Sequence, residues 1–312
     1  MTTGVTVAIV GGVNVAKDLG KHGTESDLTL FNSVTEGHAT TFVEPTQFPE
    51  KFSPLLNALA MADQCLLIVN ELTRPVAETI ATVELADVPT TVVLGPAVGE
   101  AELARALRGG RLEGAPRVAF DLPHLRERIE TWRAPIVEGS VLVPVDHYFP
   151  VKGVGTVVLG VVRRGTLHAH DRLRLWPTPK VVDIRSIQVH DIDRKDVECG
   201  ERVGIALKGV DVDELARGQV LAPEGALNEG TELGGPSFQR CRYYRGDAGV
   251  GAAVHLAHGL QVVPAEIAEL GSGGVRVTAD RPVARIPGAP AYVVDLSVPA
   301  GPRLMGRFSL SA

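Results

Sequence analysis

Residues 5–10, Val-Thr-Val-Ala-Ile-Val, form a short apolar run that stops at Gly11-Gly12. The turn then reads Gly11-Gly12-Val13-Asn14-Val15-Ala16-Lys17-Asp18. A glycine-rich turn between a buried strand and a helix lets backbone N–H groups curl round a phosphate. A Lys neutralises its charge, and a Ser or Thr hydroxyl holds Mg2+. Gly11 and Lys17 stand where that chemistry needs them, but Ala16 replaces the second glycine and Asp18 replaces the hydroxyl. A carboxylate about 4 Å from a phosphate costs several kcal/mol at intermediate dielectric. A second frame, ending in Gly20-Lys21, has Val15 and His22 in the key positions and fails as well. Gly11, Gly12 and Lys17 therefore read as a vestigial nucleotide site.

Other reactive residue types are scattered. His168-Ala169-His170 has strand spacing for two ligands on one face, yet no third ligand stands beside it, so these read as surface histidines on a turn. His255 and His258 read the same way. Cys65, Cys199 and Cys241 are odd in number and far apart, which suggests neither a disulfide framework nor a zinc site. Arg240, Arg242 and Arg245 flank Tyr243-Tyr244. Arginine beside aromatics grips RNA or simply lines a solvated strand edge, and both readings stay open. No Ser/His/Asp or Cys/His set stands out, and no metal is expected.

The elements that must position these residues change character along the chain. Over 1–132, strand runs at 5–10, 28–31, 39–43, 64–69 and 90–94 alternate with helix signals at 15–20, 51–62, 75–86, 99–108 and 121–131. Glu36-Gly37 reads as a hairpin turn between the second and third runs. This alternation predicts a parallel sheet with helices on its faces. From Arg133-Ala134-Pro135 onward, short strands alternate with Gly and Pro turns, and only 211–216 looks helical, which predicts barrels or sandwiches. A second boundary falls near 223–236.

Residues 1–133 hold 11 Lys/Arg and 17 Asp/Glu, whereas 134–312 hold 20 of each, so the whole net charge of −6 sits in the N-terminal part. A general nucleic-acid coat needs a basic excess. Any RNA contact here must therefore be local, and no DNA partner is expected. No apolar run approaches the roughly 20 residues of a membrane span, and the N-terminus lacks signal-peptide features. No membrane partner is expected, and a cytoplasmic location is.

The segment 143–160, Val-Pro-Val-Asp-His-Tyr-Phe-Pro-Val-Lys-Gly-Val-Gly-Thr-Val-Val-Leu-Gly, resembles the opening of the second domain of EF-Tu/SelB-class translational elongation factors. That domain is a β-barrel marked by an acidic residue, a Phe and then G-x-G-T-V-x-x-G. The Asp146-His147 pair followed by Phe149 is closer to archaeal-type SelB than to EF-Tu. The likeness continues in order through Arg164-Gly165 to Asp171, with His170 in place of the family's second Gly. Next come Cys199 to Gly204, with Cys199 in place of Ala, then Leu207 to Val210 and Arg217 to Leu221. Residues 230–312 look like the third domain more loosely, through Arg276 to Ala284 and Leu304-Met305-Gly306.

The resemblance implies a GTPase-like α/β parallel-sheet domain over 1–132 and two antiparallel β-barrel domains over 133–224 and 229–312. It implies a pocket for the aminoacyl end of tRNA at Asp146, His147, Phe149, Gly153, Gly155 and Thr156, and RNA contacts at Arg240, Arg242, Tyr243 and Arg245. SelB's further C-terminal domain is expected to be absent, because the sequence stops at Ala312. The family's D-x-P-G-H-E-K-F matches at Glu50-Lys51-Phe52, but Pro49 stands where its His belongs. Gly95-Pro96-Ala97-Val98 follows the strand where N-K-x-D should read guanine. The region before Val43 is also too short for the family's large first switch. Neither GTP nor Mg2+ is expected as a cofactor. The expected function is that of an EF-Tu/SelB-like factor binding tRNA or the ribosome without GTP hydrolysis. The alternatives are a protein-interaction scaffold built on the barrels and a divergent, active translational GTPase.

Overall fold

A computed structural model describes residues 3–12, 14–35 and 37–311. Met1, Thr2, Val13, Glu36 and Ala312 lie outside the described residues, and with them Val13 of the glycine turn and Glu36 of the expected hairpin. The chain divides into two compact units. One comprises Met1–Arg133, Gln239–Ala248 and Val293–Arg307, the other Ala134–Phe238, Gly249–Tyr292 and Phe308–Ala312. Among the described residues no helix is long and apolar enough to cross a membrane.

The first unit is built on β1 (Thr3–Val10), β2 (Lys21–Glu25), β3 (Thr29–Thr35), β4 (His38–Glu44), β5 (Gln64–Val69), β6 (Thr90–Leu94) and β7 (Arg117–Ala119). Among the described residues these form one sheet in the order β2-β3-β4-β1-β5-β6-β7. β4, β1, β5, β6 and β7 run parallel to one another. The helices α1 (Ser53–Met61), α2 (Arg74–Ala86), α3 (Glu100–Leu107) and α4 (Leu122–Glu130) link and flank them. β1, β5 and β6 are near-continuous apolar runs, as strands covered on both faces must be, and Val7, Ile9, Leu66, Ile68, Val92 and Val93 are buried. Asp121 caps α4 by accepting the His124 N–H at 2.9 Å.

The helix expected over 15–20 is absent. A single 3-10 turn, Ala16–Asp18, gives way to β2, which pairs antiparallel with β3 through Lys21↔Asn32 and His22↔Phe31. β3 pairs antiparallel with β4 as well, so the sheet is mixed at this edge and parallel elsewhere. Gly20 and Gly23 explain the change. Each costs a helix about 1 kcal/mol relative to Ala. A Cβ on Gly20 would lie 2.9 Å from the Asn32 carbonyl oxygen, so this residue's missing side chain lets β2 approach β3.

The barrel strands are β8 (Val143–Val151), β9 (Gly155–Val161), β10 (Thr166–His168), β11 (Arg172–Trp176), β12 (Val181–Val189), β13 (Ile192–Arg194), β14 (Asp196–Glu198), β15 (Arg202–Lys208) and β16 (Val220–Ala222). Among the described residues seven of them run in the order β11-β16-β8-β9-β15-β12-β13, a further β11–β12 pairing closes the ring, and β10 pairs with β14 in a separate two-stranded sheet. Closure removes open edges and encloses a core of Val145, Val158, Leu175, Ile184, Ile205 and Leu221. The expected helix at 211–216 is one 3-10 turn, Val212–Glu214, with Asp211 and Glu214 forming a capping box.

The remaining strands, antiparallel to their neighbours, are β17 (Asn228–Gly235), β18 (Gln239–Arg240), β19 (Ala253–His258), β20 (Gln261–Gly271), β21 (Gly274–Arg285), β22 (Pro290–Val294) and β23 (Leu304–Ser309). In the second unit β17, β21, β20 and β19 are successive neighbours. In the first unit β18 pairs with β23 through Gln239↔Arg307 and Arg240↔Gly306. Three side chains fasten these late segments to the helices of the same unit. Arg303 donates to both Glu78 carboxylate oxygens, at 3.0 Å from Nε and 2.7 Å from Nη2. Tyr243 Oη donates to the Ala106 carbonyl at 3.3 Å, and Arg307 Nη1 to the Leu85 carbonyl at 2.8 Å.

Candidate functional site

The glycine turn keeps the shape of an anion cradle and fills it from within. Gly11 has φ +82° and Asn14 φ +61°, while Val15 returns to the right-handed region. The change of hand from Asn14 to Val15 turns successive N–H groups toward one point. At that point sits the Glu44 carboxylate, with Oε1 2.7 Å from the Ala16 N–H. Glu44 ends β4, and its side chain is buried. Burial pushes its carboxyl up, against the N–H groups of Ala16, Val15 and Asn14 and the Lys17 charge, which pull it down. Lys17 and Asp18 are exposed.

Gly11 and Gly12 have a packing reason to be glycine. A Cβ on Gly11 would lie 2.4 Å from the Ile68 carbonyl oxygen, and one on Gly12 would lie 2.9 Å from the Ile68 side chain. Their presence says that the turn crosses β5 closely, with or without a phosphate. Pro49 is exposed, in the segment after β4. After β6, the Gly95 N–H donates to the Val69 carbonyl at 2.9 Å, and Val98 is buried apolar core.

The second constellation lies on β8. The register between β8 and β9 slips between Val145 and His147, so Asp146 is the extra residue of a β-bulge. Strict alternation would send one of the two polar side chains outward. The bulge instead leaves Val145, Asp146 and His147 all buried. Asp146 is engaged on every side. Arg202 grips it with two bonds, Nη1 to Oδ2 at 2.7 Å and Nη2 to Oδ1 at 2.9 Å, and His147 Nδ1 lies 2.6 Å from Oδ1. Arg217 Nε donates to its backbone carbonyl at 2.9 Å. Burial alone would raise the Asp146 carboxyl, but the Arg202 guanidinium and the His147 bond hold it below the usual carboxylate range.

The other residues of the expected pocket divide. Tyr148 and Phe149 are each 37% exposed near the turn of the β8–β9 hairpin, so Phe149 is not barrel core. Gly153 and Gly155 make the turn to β9 at φ +81° and +103°. Thr156 is buried, and its hydroxyl donates to the Val210 carbonyl at 2.9 Å.

Of the candidate RNA contacts, Arg242 Nη1 donates to the Arg108 carbonyl at 2.8 Å and Tyr243 to Ala106, both within the first unit. Arg240 stacks over Tyr244, and Arg245 Nη1 donates to the Arg242 carbonyl at 3.0 Å. His168 closes β10, and His170 lies in the following turn at φ +73°, both exposed. His258 departs from the surface reading. It is wholly buried, with Nδ1 3.1 Å from the Pro290 carbonyl and Nε2 2.8 Å from the Ile286 N–H. No group of His, Cys, Asp and Glu suited to a metal ion is present among the described residues.

Sequence reasoning missed Glu44 and Arg202. A carboxylate ending the apolar run Phe42-Val43-Glu44 was the available signal, because a buried charge must find partners.

Residues 155–222 match the family model for elongation factor Tu domain 2. An uncharacterised protein of Methanocaldococcus jannaschii is 37% identical over 233 residues, covering 74% of this chain and 75% of that protein. The selenocysteine-specific elongation factor of the same organism is 25% identical over 287 residues. That match covers 84% of this chain but only 61% of the factor. Among solved structures, SelB of Methanococcus maripaludis in complex with the GTP analogue GppNHp aligns over 100% of this chain and 79% of its own, with TM-score 0.83. At 19% identity that likeness speaks for the fold.

Proposed function

This chain belongs to the EF-Tu/SelB class of translation elongation factors, and from that premise we propose that it engages tRNA or the ribosomal factor site without binding or hydrolysing GTP. The observation that carries this reading is the Glu44 carboxylate 2.7 Å from the Ala16 N–H. A nucleotide phosphate needs those donors free and a positive field to enter. A buried carboxylate already takes the donors and opposes the field. The 3-10 turn in place of a full helix, Pro49, and Gly95 to Val98 support the same reading. GTP and Mg2+ are then not cofactors of this protein.

The reading assigns residues 1–132 to a degenerate nucleotide domain, 133–224 to the barrel that meets RNA, and 229–312 to the third domain. The exposed rings of Tyr148 and Phe149, beside exposed Lys152, offer stacking faces and a charge for a single-stranded end. Equilibrium dialysis with labelled GTP is expected to give no saturable binding at micromolar protein. Filter binding with aminoacylated tRNA is expected to give binding that weakens as salt rises. Saturable GTP binding would overturn the second half of the proposal.

A second reading, a protein-interaction scaffold, draws on the engaged state of Asp146, Arg242 and Tyr243. Absence of binding to aminoacylated and bare tRNA alike would favour it.

A further inference from the structure

An apolar concavity of the first unit, with Pro49 on its rim, is not used as a binding site in the reading above. It measures about 660 Å³ and is lined by Leu72, Pro75, Ala77 and Ile80 on one side and by Ala106, Tyr243 and residues 299–302 on the other. None of the cradle residues Gly11 to Lys17 lines it. That volume lies in the range of pockets that take small molecules.

It stays open for a simple reason. Short side chains and prolines make up much of its wall, Ala77 and Ala106 among them, and residues 299–302 read Pro-Ala-Gly-Pro. The walls are also fixed. Arg303, just past the loop, binds Glu78 through its backbone N–H at 2.8 Å as well as through its guanidinium. Tyr243 is held by its bond to Ala106. A preformed wall lowers the ordering cost of binding.

Two charged residues line it, Glu78 and Arg74. Glu78 is neutralised by Arg303. Arg74 is exposed at the rim and makes no ion pair or hydrogen bond among the described residues. It opens α2, whose first turn has no acidic residue and no side-chain cap from Thr73. A helix of this length adds a partial positive charge there.

From the apolar walls and the unpaired Arg74 we infer that this cavity is a binding site for an amphipathic small molecule with an aromatic or branched apolar body and one anionic group. The apolar body lies against Ala77, Ile80 and Tyr243, and the anion meets Arg74.

Anilinonaphthalene sulfonate, an aromatic anion, is the probe, with the neutral N-phenylnaphthylamine as its partner. Fluorescence titration of the full chain is expected to give saturable binding at one probe per chain. Ala77→Trp, which fills the cavity from an exposed helix position, is expected to weaken both probes by about tenfold or more. Arg74→Ala is expected to weaken the sulfonate about threefold to fivefold and to leave the neutral probe unchanged. Non-saturable binding to the parent chain would overturn the inference. So would unchanged affinity in Ala77→Trp whose melting curve is native, or equal loss of both probes in Arg74→Ala. If Ala77→Trp fails to fold, Ala106→Leu fills the cavity from the opposite wall, with the same two readings. GTP and tRNA enter none of these measurements, so this inference and the proposed function stand or fall separately.

Discussion

His258 is the residue whose environment departs furthest from its sequence context. It ends β19 with an imidazole that accepts the Ile286 N–H at Nε2. Burial lowers its pKa to about 4, while the bond to the Pro290 carbonyl pulls the other way. The unfolded imidazole takes its proton near pH 6.5. Between those two values the unfolded state binds more protons, so stability is full above about pH 6.5 and falls as the pH drops toward 4. The loss is about 3 kcal/mol across that window. Urea midpoints measured at several pH values should show one proton's worth of slope, and His258→Leu should remove it while lowering stability throughout. Asp146 behaves in the opposite range. Its carboxylate is stabilised below the ordinary value, so its contribution persists at neutral pH and is lost only as acid drives the pH below about 4. Asp146→Asn should cost about 3 kcal/mol in urea denaturation, because Arg202 is left buried without its charge partner. Asp146 and His147 were legible as a pair. Their joint burial was not, because a bulge breaks the period of two on which any strand reading rests.

At the scale of elements, β2 and β4 decide what the glycine turn can do. The helix that should stand behind a phosphate is replaced by an edge strand, and the end of β4 delivers Glu44 into the cradle. Glu44→Ala should destabilise the protein by about 2 kcal/mol, since a buried N–H loses its acceptor. Hydrogen exchange should then quicken first at the Asn14, Val15 and Ala16 amides; unchanged exchange there would sink the idea that Glu44 holds the turn. β1, β5, β6 and the helices α1 to α4 were readable from their periods and their lengths. β2 was not, because Lys-His-Gly-Thr-Glu has no apolar stripe and forms a strand only by pairing with β3.

At the scale of the molecule, the first unit is assembled from residues far apart in the chain. Arg303 and Glu78 are 225 residues apart, and the guanidinium also lies 5.0 Å from the centre of the Phe52 ring. Arg303→Ala should cost about 3 kcal/mol in chemical denaturation by leaving Glu78 buried and unpaired. Arg303→Lys should recover only part of that, since a single ammonium cannot make the forked pair. The sequence by itself determined the class of fold. Ordered glycine and hydrophobic motifs record local turn and strand geometry, and these survive wherever the barrel must close. It also showed that the residue types a phosphate and a guanine site need are absent at Ala16, Asp18 and Gly95 to Val98. Only the tertiary structure decided what replaced them. Glu44 in the cradle, Arg202 on Asp146 and Arg303 on Glu78 are pairings of charges distant in sequence. A charge removed from water takes whichever partner the fold brings within reach, and spacing along the chain carries no record of that choice.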